Sequence, residues 1–345
     1  MISPRAILVT FVAASAVAAS AFGKPPPVGI VNLCSGQITP QNTINDLAKH
    51  PWSSPNATGM RVKTQWNYVQ PNNGDTYDWT GLDEAVRLGG VNHKFIGLSV
   101  MAGTTTPQWV YDAGAVKYTF SDGTGSMPPP WDPVFQSKWI SFVKAMGARY
   151  DGNPAVGYVV IGGASQHFET YIAKVEPDVT NLTNMGGPSA WEAAAKKIIA
   201  VYAEAFPTTP FFLTLAKPFP NSDGVTALKN VTDWAAATYP GKFGIMNASL
   251  NCNSTTGYYP NEAVYTYRNK QPTGFQMLWS YYADKGARIG GTLDQALKAG
   301  VSLGGKFVEV YEPDVEDPSQ QTVLATEGAA LKGNLVQPPS NLKIM

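Results

Sequence analysis

The sequence is poor in the residues that hold small or metal-dependent proteins together. It contains only 2 cysteines in 345 residues, Cys34 and Cys252, so no disulfide framework can hold the fold. Its 3 histidines, His50, His93 and His167, include no Cys or His pair at the spacing of metal ligands, which argues against a structural zinc site. We therefore expect an apolar core to hold the fold, with no metal and no cofactor.

The sequence also lacks an excess of charge of either sign. Lys plus Arg equals Asp plus Glu, at 25 each, and no basic block occurs, which argues against nucleic acid or an anionic membrane surface as a partner. Aromatic residues are abundant instead, with 9 Trp and 16 Tyr. In polar segments such as GYYPNEAVYTY, their rings can offer flat apolar faces to sugar rings or peptides.

The N-terminus has the features of a secretory signal peptide. Arg5 precedes an apolar run that ends near residue 17, and the small-residue site Ala19-Ser20-Ala21 follows. This pattern predicts removal of residues 1–21 and secretion, with no membrane attachment afterwards. The alternative is an uncleaved anchor, for which the apolar run is short.

Eight apolar runs rich in β-branched and aromatic residues predict strands at 28–34, 60–66, 94–101, 156–162, 210–216, 243–249, 274–279 and 306–311. Helical patterns lie at about 81–90, 134–150, 188–206, 223–238, 260–269, 292–300 and 319–332. Strands that alternate with helices predict a parallel sheet, and eight strands close a barrel. We therefore predict an α/β fold, a single-domain (β/α)₈ TIM barrel over residues 25–340. The alternative is an open doubly wound sheet, although no Gly-rich phosphate fingerprint follows the first strand.

The fourth predicted strand leads to the most informative polar residues. The segment VGYVVIGGASQHFE, residues 156–169, is an apolar strand that ends in small residues and then reaches His167 and Glu169. A carboxylate just past the end of a barrel strand lies at the mouth where ligands bind. The alternative for Glu169 is a surface position. Cys34 and Cys252 follow strands at the same end of the barrel, so they either pair or remain separate thiols.

Two segments carry a family resemblance. In residues 59–107, Trp66 and Pro71 precede GDTYDW, then Leu82-Asp83, and finally TTTPQW. This resembles the second and third βα units of the retaining glycoside hydrolases of the (β/α)₈ clan that includes β-galactosidases, cellulases and xylanases. The segment PPPWDPVFQSKWISFVKAMGARYDGNPAVGYVVIGG is similar to the unit that leads into the clan's fourth strand. The resemblance covers residues 59 to 170 and implies hydrolysis of a β-linked oligo- or polysaccharide.

The resemblance implies a role for Glu169 and raises a question about its partner. Glu169 takes the position of the general acid/base, which donates a proton to the leaving oxygen. The clan's nucleophile is a Glu on strand seven, where this chain has Gln276, and a neutral amide cannot form the glycosyl-enzyme. Glu309 on strand eight is our candidate second carboxylate, because the period of two turns it towards the barrel interior. The alternative for Glu309 is a buried ion pair with Arg61 or Lys63.

The remaining candidates for substrate binding lie near predicted strand ends or in the long loop at 103–132. Aromatic rings that either stack on sugars or belong to the core are Trp66, Trp109, Trp131 and Trp279. Polar side chains that either bind sugar hydroxyls or are ordinary polar residues are Gln65, Asn67 and Gln276. Tyr311 and Glu312, at the end of strand eight, are further candidates. His167 is a candidate as a hydrogen-bond partner in the site, and the alternative for it is a catalytic base. We expect a monomer with a carbohydrate substrate. The alternatives are a barrel that binds carbohydrate without hydrolysing it, and a structural or interaction protein.

Overall fold

The computed structural model describes residues 23–41 and 44–334. The predicted signal peptide, residues 1–21, lies outside these residues and stays a prediction. In the described part of the chain, no helix combines the length and apolar character needed to cross a membrane.

Eight parallel strands close into a barrel, which confirms the predicted TIM-barrel fold and excludes the open sheet. The barrel strands are β1 (Gly29–Leu33), β2 (Ala57–Gln65), β3 (Phe95–Met101), β6 (Val156–Val160), β7 (Phe211–Thr214), β8 (Phe243–Leu250), β9 (Thr273–Met277) and β10 (Phe307–Tyr311). Their order around the barrel is β1-β10-β9-β8-β7-β6-β3-β2. In the long loop after β3, the short strands β4 (Tyr118–Thr119) and β5 (Ser126–Met127) form an antiparallel hairpin.

Helices surround the barrel, and seven of them coincide with the predicted ones to within about two residues. These are α3 (Thr80–Val91), α5 (Pro133–Tyr150), α7 (Gly187–Ala205), α8 (Ser222–Thr238), α9 (Tyr259–Tyr267), α11 (Leu293–Ser302) and α13 (Gln321–Gly333). Shorter helices that were not predicted lie in the connections: α1 (Ile44–Leu47), α2 (Trp66–Val69), α4 (Gln108–Asp112), α6 (Asp178–Asn184), α10 (Tyr281–Asp284) and α12 (Glu312–Glu316). They place additional turns at the carboxyl ends of the strands.

The barrel interior is filled by side chains rather than open to solvent. Its buried apolar residues are Val31, Tyr158, Val160, Phe212, Met246 and Phe307. Gly97 on β3 has no side chain where the Tyr158 ring lies, and a Cβ there would overlap that ring. The absent side chain at Gly97 therefore lets the phenol of Tyr158 reach across the interior.

Two sequence expectations are corrected in this part of the fold. β2 ends at Gln65, one residue earlier than predicted, and Trp66 begins α2 with none of its surface exposed. The two cysteines are both free thiols, with Cys34 buried and Cys252 half-buried. The alternative in which they pair is therefore wrong.

Candidate active site

A cleft of about 560 Å³ opens at the carboxyl ends of the barrel strands. Parallel strands bring their ends together at one face of a TIM barrel, which is where this fold binds its ligands. The side chains on the cleft's walls come from the segments after β6, β7, β8 and β9 and from the ends of β8, β9 and β10. Its lining includes Glu169, Tyr171, Lys174, Lys217, Asn247, Ser249, Tyr258, Gln276, Arg288 and Tyr311.

Glu169 lies well beyond the end of β6, yet the sheet positions its backbone. Glu169 pairs with Thr214 of β7 in an isolated parallel bridge. The next residue strengthens this connection, because the Thr170 amide donates to the Thr214 carbonyl at 3.0 Å and the Thr170 hydroxyl accepts from the Ala216 amide at 2.7 Å. Within the described residues, the Glu169 carboxylate makes no hydrogen bond or ion pair. It is therefore held at the cleft and free to meet a ligand.

The negative charge of Glu169 acts on the titratable groups around it. Burial raises the pKa of Tyr171 and of Tyr311, and the Glu169 charge raises both further. Burial lowers the pKa of His167, and Glu169 opposes that shift. Both phenols consequently stay protonated at neutral pH and offer O–H donors near Glu169.

Gln276 of β9 lines the cleft, and its amide is held by Arg61. Its Oε1 accepts a hydrogen bond from Arg61 Nη1 at 3.2 Å. Burial raises the pKa of Tyr311, and the Gln276 side chain opposes that rise. On β9, the seventh barrel strand, the neutral amide of Gln276 thus lies beside the buried guanidinium of Arg61.

Glu309 of β10 faces the barrel interior and lies beside Gln276, its register partner on β9. Its Oε2 lies 2.5 Å from Arg61 Nη1, and its Oε1 accepts from the Tyr158 hydroxyl at 2.7 Å. None of the Glu309 or Tyr158 surface is exposed. Burial lowers the pKa of Arg61, but the charges of Glu309 and Tyr158 and the hydrogen bond to Glu309 together outweigh it, and the net pKa is raised.

The Glu309 contacts are those of the buried ion pair that the sequence left as an alternative. Glu309 is not among the cleft-lining residues, and the Phe168 ring lies 5.1 Å from the Arg61 guanidinium. Both carboxylate oxygens are engaged. A catalytic role for Glu309 stays a prediction.

The four candidate tryptophans divide into three environments. Trp279 is 36% exposed and lies beside two cleft residues, with its ring 6.1 Å from that of Tyr311 and 4.3 Å from the Arg288 guanidinium. Trp66 is wholly buried and packs against Trp139 at 5.0 Å, so its prediction as a stacking platform is wrong. Its indole lies in an aromatic core made largely by α5.

Trp109 and Trp131 are half-buried and lie outside the cleft. The Trp109 indole N–H donates to the Gln70 carbonyl at 3.0 Å, and the Trp131 indole N–H donates to the Met185 carbonyl at 2.8 Å. These hydrogen bonds fix both rings against neighbouring backbone. Stacking on a sugar stays a prediction for both.

The remaining polar candidates do not line the cleft. Gln65 donates to Gln37 Oε1 at 2.8 Å, and the Asn67 side-chain oxygen is buried without a hydrogen-bond partner among the described residues. His167 lies just before Glu169, with Nδ1 at 3.3 Å from the Thr104 hydroxyl. Of the predicted set, the structure therefore brings Glu169, Gln276 and Tyr311 into one cleft, with Trp279 beside it.

Glu312 belongs to a separate polar cluster at the end of β1. Its Oε2 lies 2.6 Å from His50 Nδ1 and accepts from Asn32 Nδ2 at 3.1 Å. Burial raises the pKa of Glu312, but the hydrogen bonds from His50 and Asn32 outweigh it and the net pKa is lowered. Cys34 Sγ completes a set of three donor atoms within 4.8 Å of one another.

This cluster is the set of described side chains that could hold a metal ion. Two ligands on one tetrahedral zinc lie roughly 3.3 Å apart, given metal–ligand bonds of about 2.0 Å. His50 Nδ1 and Glu312 Oε2 are closer than that, at 2.6 Å, so they are not spaced as two ligands of one zinc ion. Burial also raises the pKa of the Cys34 thiol, which favours the protonated form that does not bind metal. We assign the cluster a packing role.

Sequence reasoning missed several cleft residues. Tyr171, Lys174, Lys217 and Arg288 lie in loops whose course no local pattern predicts, whereas Asn247 lies inside the predicted sixth strand FGIMNAS. A polar residue in that apolar strand was the available signal for Asn247. The aromatic run around Tyr258 predicts exposed rings but does not indicate a position at the cleft.

The chain is similar to known proteins in its fold but not in its sequence. No family model matches the chain, and no curated protein matches it. Among solved structures, it is similar to a psychrophilic glycoside hydrolase family 10 endo-β-1,4-xylanase, with a TM-score of 0.52, 14% identity, and coverage of 83% of this chain and 86% of that one.

Two further structures contain bound oligosaccharides. A mutant of xylanase A from P. fluorescens subsp. cellulosa, in complex with xylopentaose, has a TM-score of 0.51 and 12% identity over 90% of this chain and 98% of that one. An endocellulase from Pyrococcus horikoshii, in complex with cellotetraose, has a TM-score of 0.54 and 12% identity over 88% and 93%. The chain is thus structurally similar to xylanases and endoglucanases, and at this identity the similarity establishes the fold.

Proposed function

We propose that this protein is a secreted glycoside hydrolase that acts on a β-linked oligo- or polysaccharide, with Glu169 as its general acid/base. The observation that carries the proposal is the position of Glu169: an unpaired carboxylate at the cleft, after the fourth barrel strand. The fold similarity to xylanases and endoglucanases supports a β-linked glycan as the substrate class. We further propose that the protein acts as a monomer after removal of residues 1–21.

The residues around Glu169 suit binding and proton transfer. A protonated Glu169 would donate to the leaving glycosidic oxygen and, as a carboxylate, would then take a proton from the attacking water. The phenols of Tyr171 and Tyr311 and the amides of Gln276 and Asn247 supply hydrogen-bonding groups for sugar hydroxyls. Trp279, at the rim, offers an exposed ring face to a neighbouring sugar.

One observation favours a second candidate, a barrel that binds glycan without hydrolysing it. Among the described residues that line the cleft, Glu169 is the only carboxylate, whereas glycosidases ordinarily use two. Gln276 is neutral, and Glu309 is engaged by Arg61 and Tyr158. Hydrolysis with Glu309 would require the participation of a carboxylate that does not line the cleft.

The experiment that separates the two candidates measures binding and hydrolysis on the same protein. Purified protein is titrated with xylo- and cello-oligosaccharides while Trp fluorescence is followed, and the same oligosaccharides are then incubated and analysed for shorter products. Binding with cleavage that is lost in Glu169→Gln supports the hydrolase. Binding without cleavage supports the second candidate, and no binding to any β-linked glycan overturns both.

A further inference from the structure

The charges that line the cleft are mostly positive. Three cationic side chains, Lys174, Lys217 and Arg288, line it together with a single carboxylate, Glu169. Overall the chain has equal numbers of basic and acidic residues, 25 each, so this excess is local. A concave site lined by one sign of charge attracts ligands of the opposite sign.

The three cations converge from different parts of the barrel. Lys174 follows β6, Lys217 follows β7, and Arg288 lies in the loop after β9. In the described structure, none of the three has a carboxylate within the 4.0 Å of an ion pair. Their charges are therefore available to a ligand rather than consumed by internal pairs.

Aromatic rings hold two of these cations at the cleft. Lys174 Nζ lies 3.5 Å from the centre of the Tyr171 ring, and the Arg288 guanidinium lies 4.3 Å from that of Trp279. Contact with a ring face stabilises the position of a cation without neutralising it. The carboxylate of Asp122 accepts from the Thr124 amide and hydroxyl, and these bonds, with a smaller effect of the Lys174 charge, lower its pKa, although Asp122 and Lys174 form no ion pair.

We propose that the glycan bound in this cleft carries anionic groups, either uronate carboxylates or sulfate esters. The inference rests on the proposed function and narrows its substrate class. Arg and Lys bind carboxylate and sulfate oxygens through charge-assisted hydrogen bonds, which are about twice as strong as neutral ones. A neutral glycan would leave the cleft with three cations and one carboxylate. An anionic glycan would provide negatively charged partners for Lys217 and Arg288, while Glu169 remains available to the glycosidic bond.

The test compares matched oligosaccharides that differ only in charge. Xylotetraose is compared with the same chain bearing one glucuronate, and cellotetraose is compared with its sulfated derivative. Dissociation constants are measured by calorimetry at about 0.05 M and about 0.5 M NaCl, since salt screens charges that solvent reaches. We expect the anionic member of at least one pair to bind at least about fivefold more tightly at low salt, and this advantage to shrink at high salt.

Variants then locate the effect. Lys217→Ala and Arg288→Ala should each reduce the preference for the anionic oligosaccharide over its neutral partner about fivefold. The matched control is Lys270→Ala, an exposed lysine in the segment before β9, at the opposite end of the barrel. It should change neither binding constant.

Each outcome bears on one of the two proposals. Preference for the glucuronate-bearing oligosaccharide identifies uronate as the group, and preference for the sulfated one identifies sulfate. Equal or tighter binding of both neutral oligosaccharides overturns the anionic substrate class and leaves the proposed function standing. Failure of all four oligosaccharides to bind overturns both, and an anionic preference that survives Lys217→Ala and Arg288→Ala overturns the assignment to this cleft.

Discussion

Arg61 of β2 links the cleft to the barrel interior through Gln276, whose Oε1 accepts a hydrogen bond from Arg61 Nη1 at 3.2 Å. The same nitrogen lies 2.5 Å from Glu309 Oε2. The Arg61 side chain is only 1% exposed. Its buried positive charge is balanced by the Glu309 carboxylate and also interacts with the amide dipole of Gln276. Substitutions at these positions separate structural from catalytic roles.

Glu309→Gln is expected to lower the free energy of unfolding by about 3 kcal/mol, because it leaves the Arg61 charge buried without a counter-charge. Urea unfolding measures this loss. The double variant Arg61→Met, Glu309→Leu removes both charges and should recover most of the stability. A Glu309→Gln protein that is as stable as the wild type but has lost hydrolysis would instead assign Glu309 to catalysis.

Glu169→Gln should leave the melting temperature unchanged, because the Glu169 carboxylate has no partner among the described residues. It should reduce hydrolysis of an unactivated β-glycoside about 10²- to 10⁴-fold, since it removes a transferable proton while keeping the side-chain shape. Glu204→Gln is the control, as Glu204 is an exposed partner of Lys144 outside the cleft. Wild-type turnover by the Glu169→Gln protein would eliminate the acid/base role.

Gln276→Glu should place a second carboxylate in the cleft, held by Arg61 Nη1. A carboxylate can form a covalent glycosyl-enzyme intermediate, whereas an amide cannot. We therefore expect the variant to hydrolyse an activated aryl β-glycoside at least about tenfold faster than the wild type, whether the wild type is a hydrolase or a barrel that lacks only a nucleophile. Gln65→Glu is the matched control at the end of β2. No gain in a folded Gln276→Glu protein that still binds glycan would contradict the expectation.

Two of the four candidate tryptophan platforms, Trp279 and Trp66, should behave in opposite ways. Trp279→Ala is expected to weaken oligosaccharide binding about three- to tenfold through loss of ring contact, with the melting temperature unchanged. Trp66→Ala should cost about 3–5 kcal/mol of stability, because it leaves a cavity in the aromatic core. Calorimetry and urea unfolding of both proteins measure the two effects. A binding loss in a stable Trp66→Ala protein would restore Trp66 as a platform.

This contrast shows where sequence reasoning reaches its limit. The strands and major helices followed from apolar runs of 6 to 8 residues and from 3.6-residue periodicity, both of which are local patterns. Trp66 and Trp279 each stand at the end of an apolar run, and no local pattern distinguishes them. Their environments differ because α5, about 70 residues further along the chain, covers Trp66, whereas Trp279 lies beside Tyr311 and Arg288 and keeps 36% of its surface exposed.

The candidate site was predictable to a similar extent. The position of Glu169 at the mouth followed from its place after the fourth strand, and the interior orientation of Glu309 followed from the period of two. The cations did not follow, because Lys174, Lys217 and Arg288 occupy irregular loops. Their convergence depends on barrel closure and not on spacing in the sequence.

Lys306 provides a test of the electrostatics by pH. Its side chain is 3% exposed and burial, followed by repulsion from Arg268, lowers its pKa to about 8. A lysine with a depressed folded pKa binds fewer protons folded than unfolded, so its contribution to stability increases as pH rises from about 8 towards about 10. Lys306→Met should stabilise the protein by about 1 kcal/mol at pH 7 and flatten this increase, as urea unfolding across that range would show. If the free energy of unfolding of the Lys306→Met protein rises with pH as steeply as that of the wild type, a group other than Lys306 is responsible for the pH dependence.

The bridge between Glu169 and Thr214 fixes the backbone that carries the Glu169 carboxylate to barrel strand β7. A protein engineer could exchange the surface segment that begins after Ala173, and with it Lys174, while the backbone at Glu169 and Thr170 stays fixed to β7. The chemistry and the selectivity for ligands would then be separable by design. One scaffold could present the same carboxylate to a succession of different recognition loops.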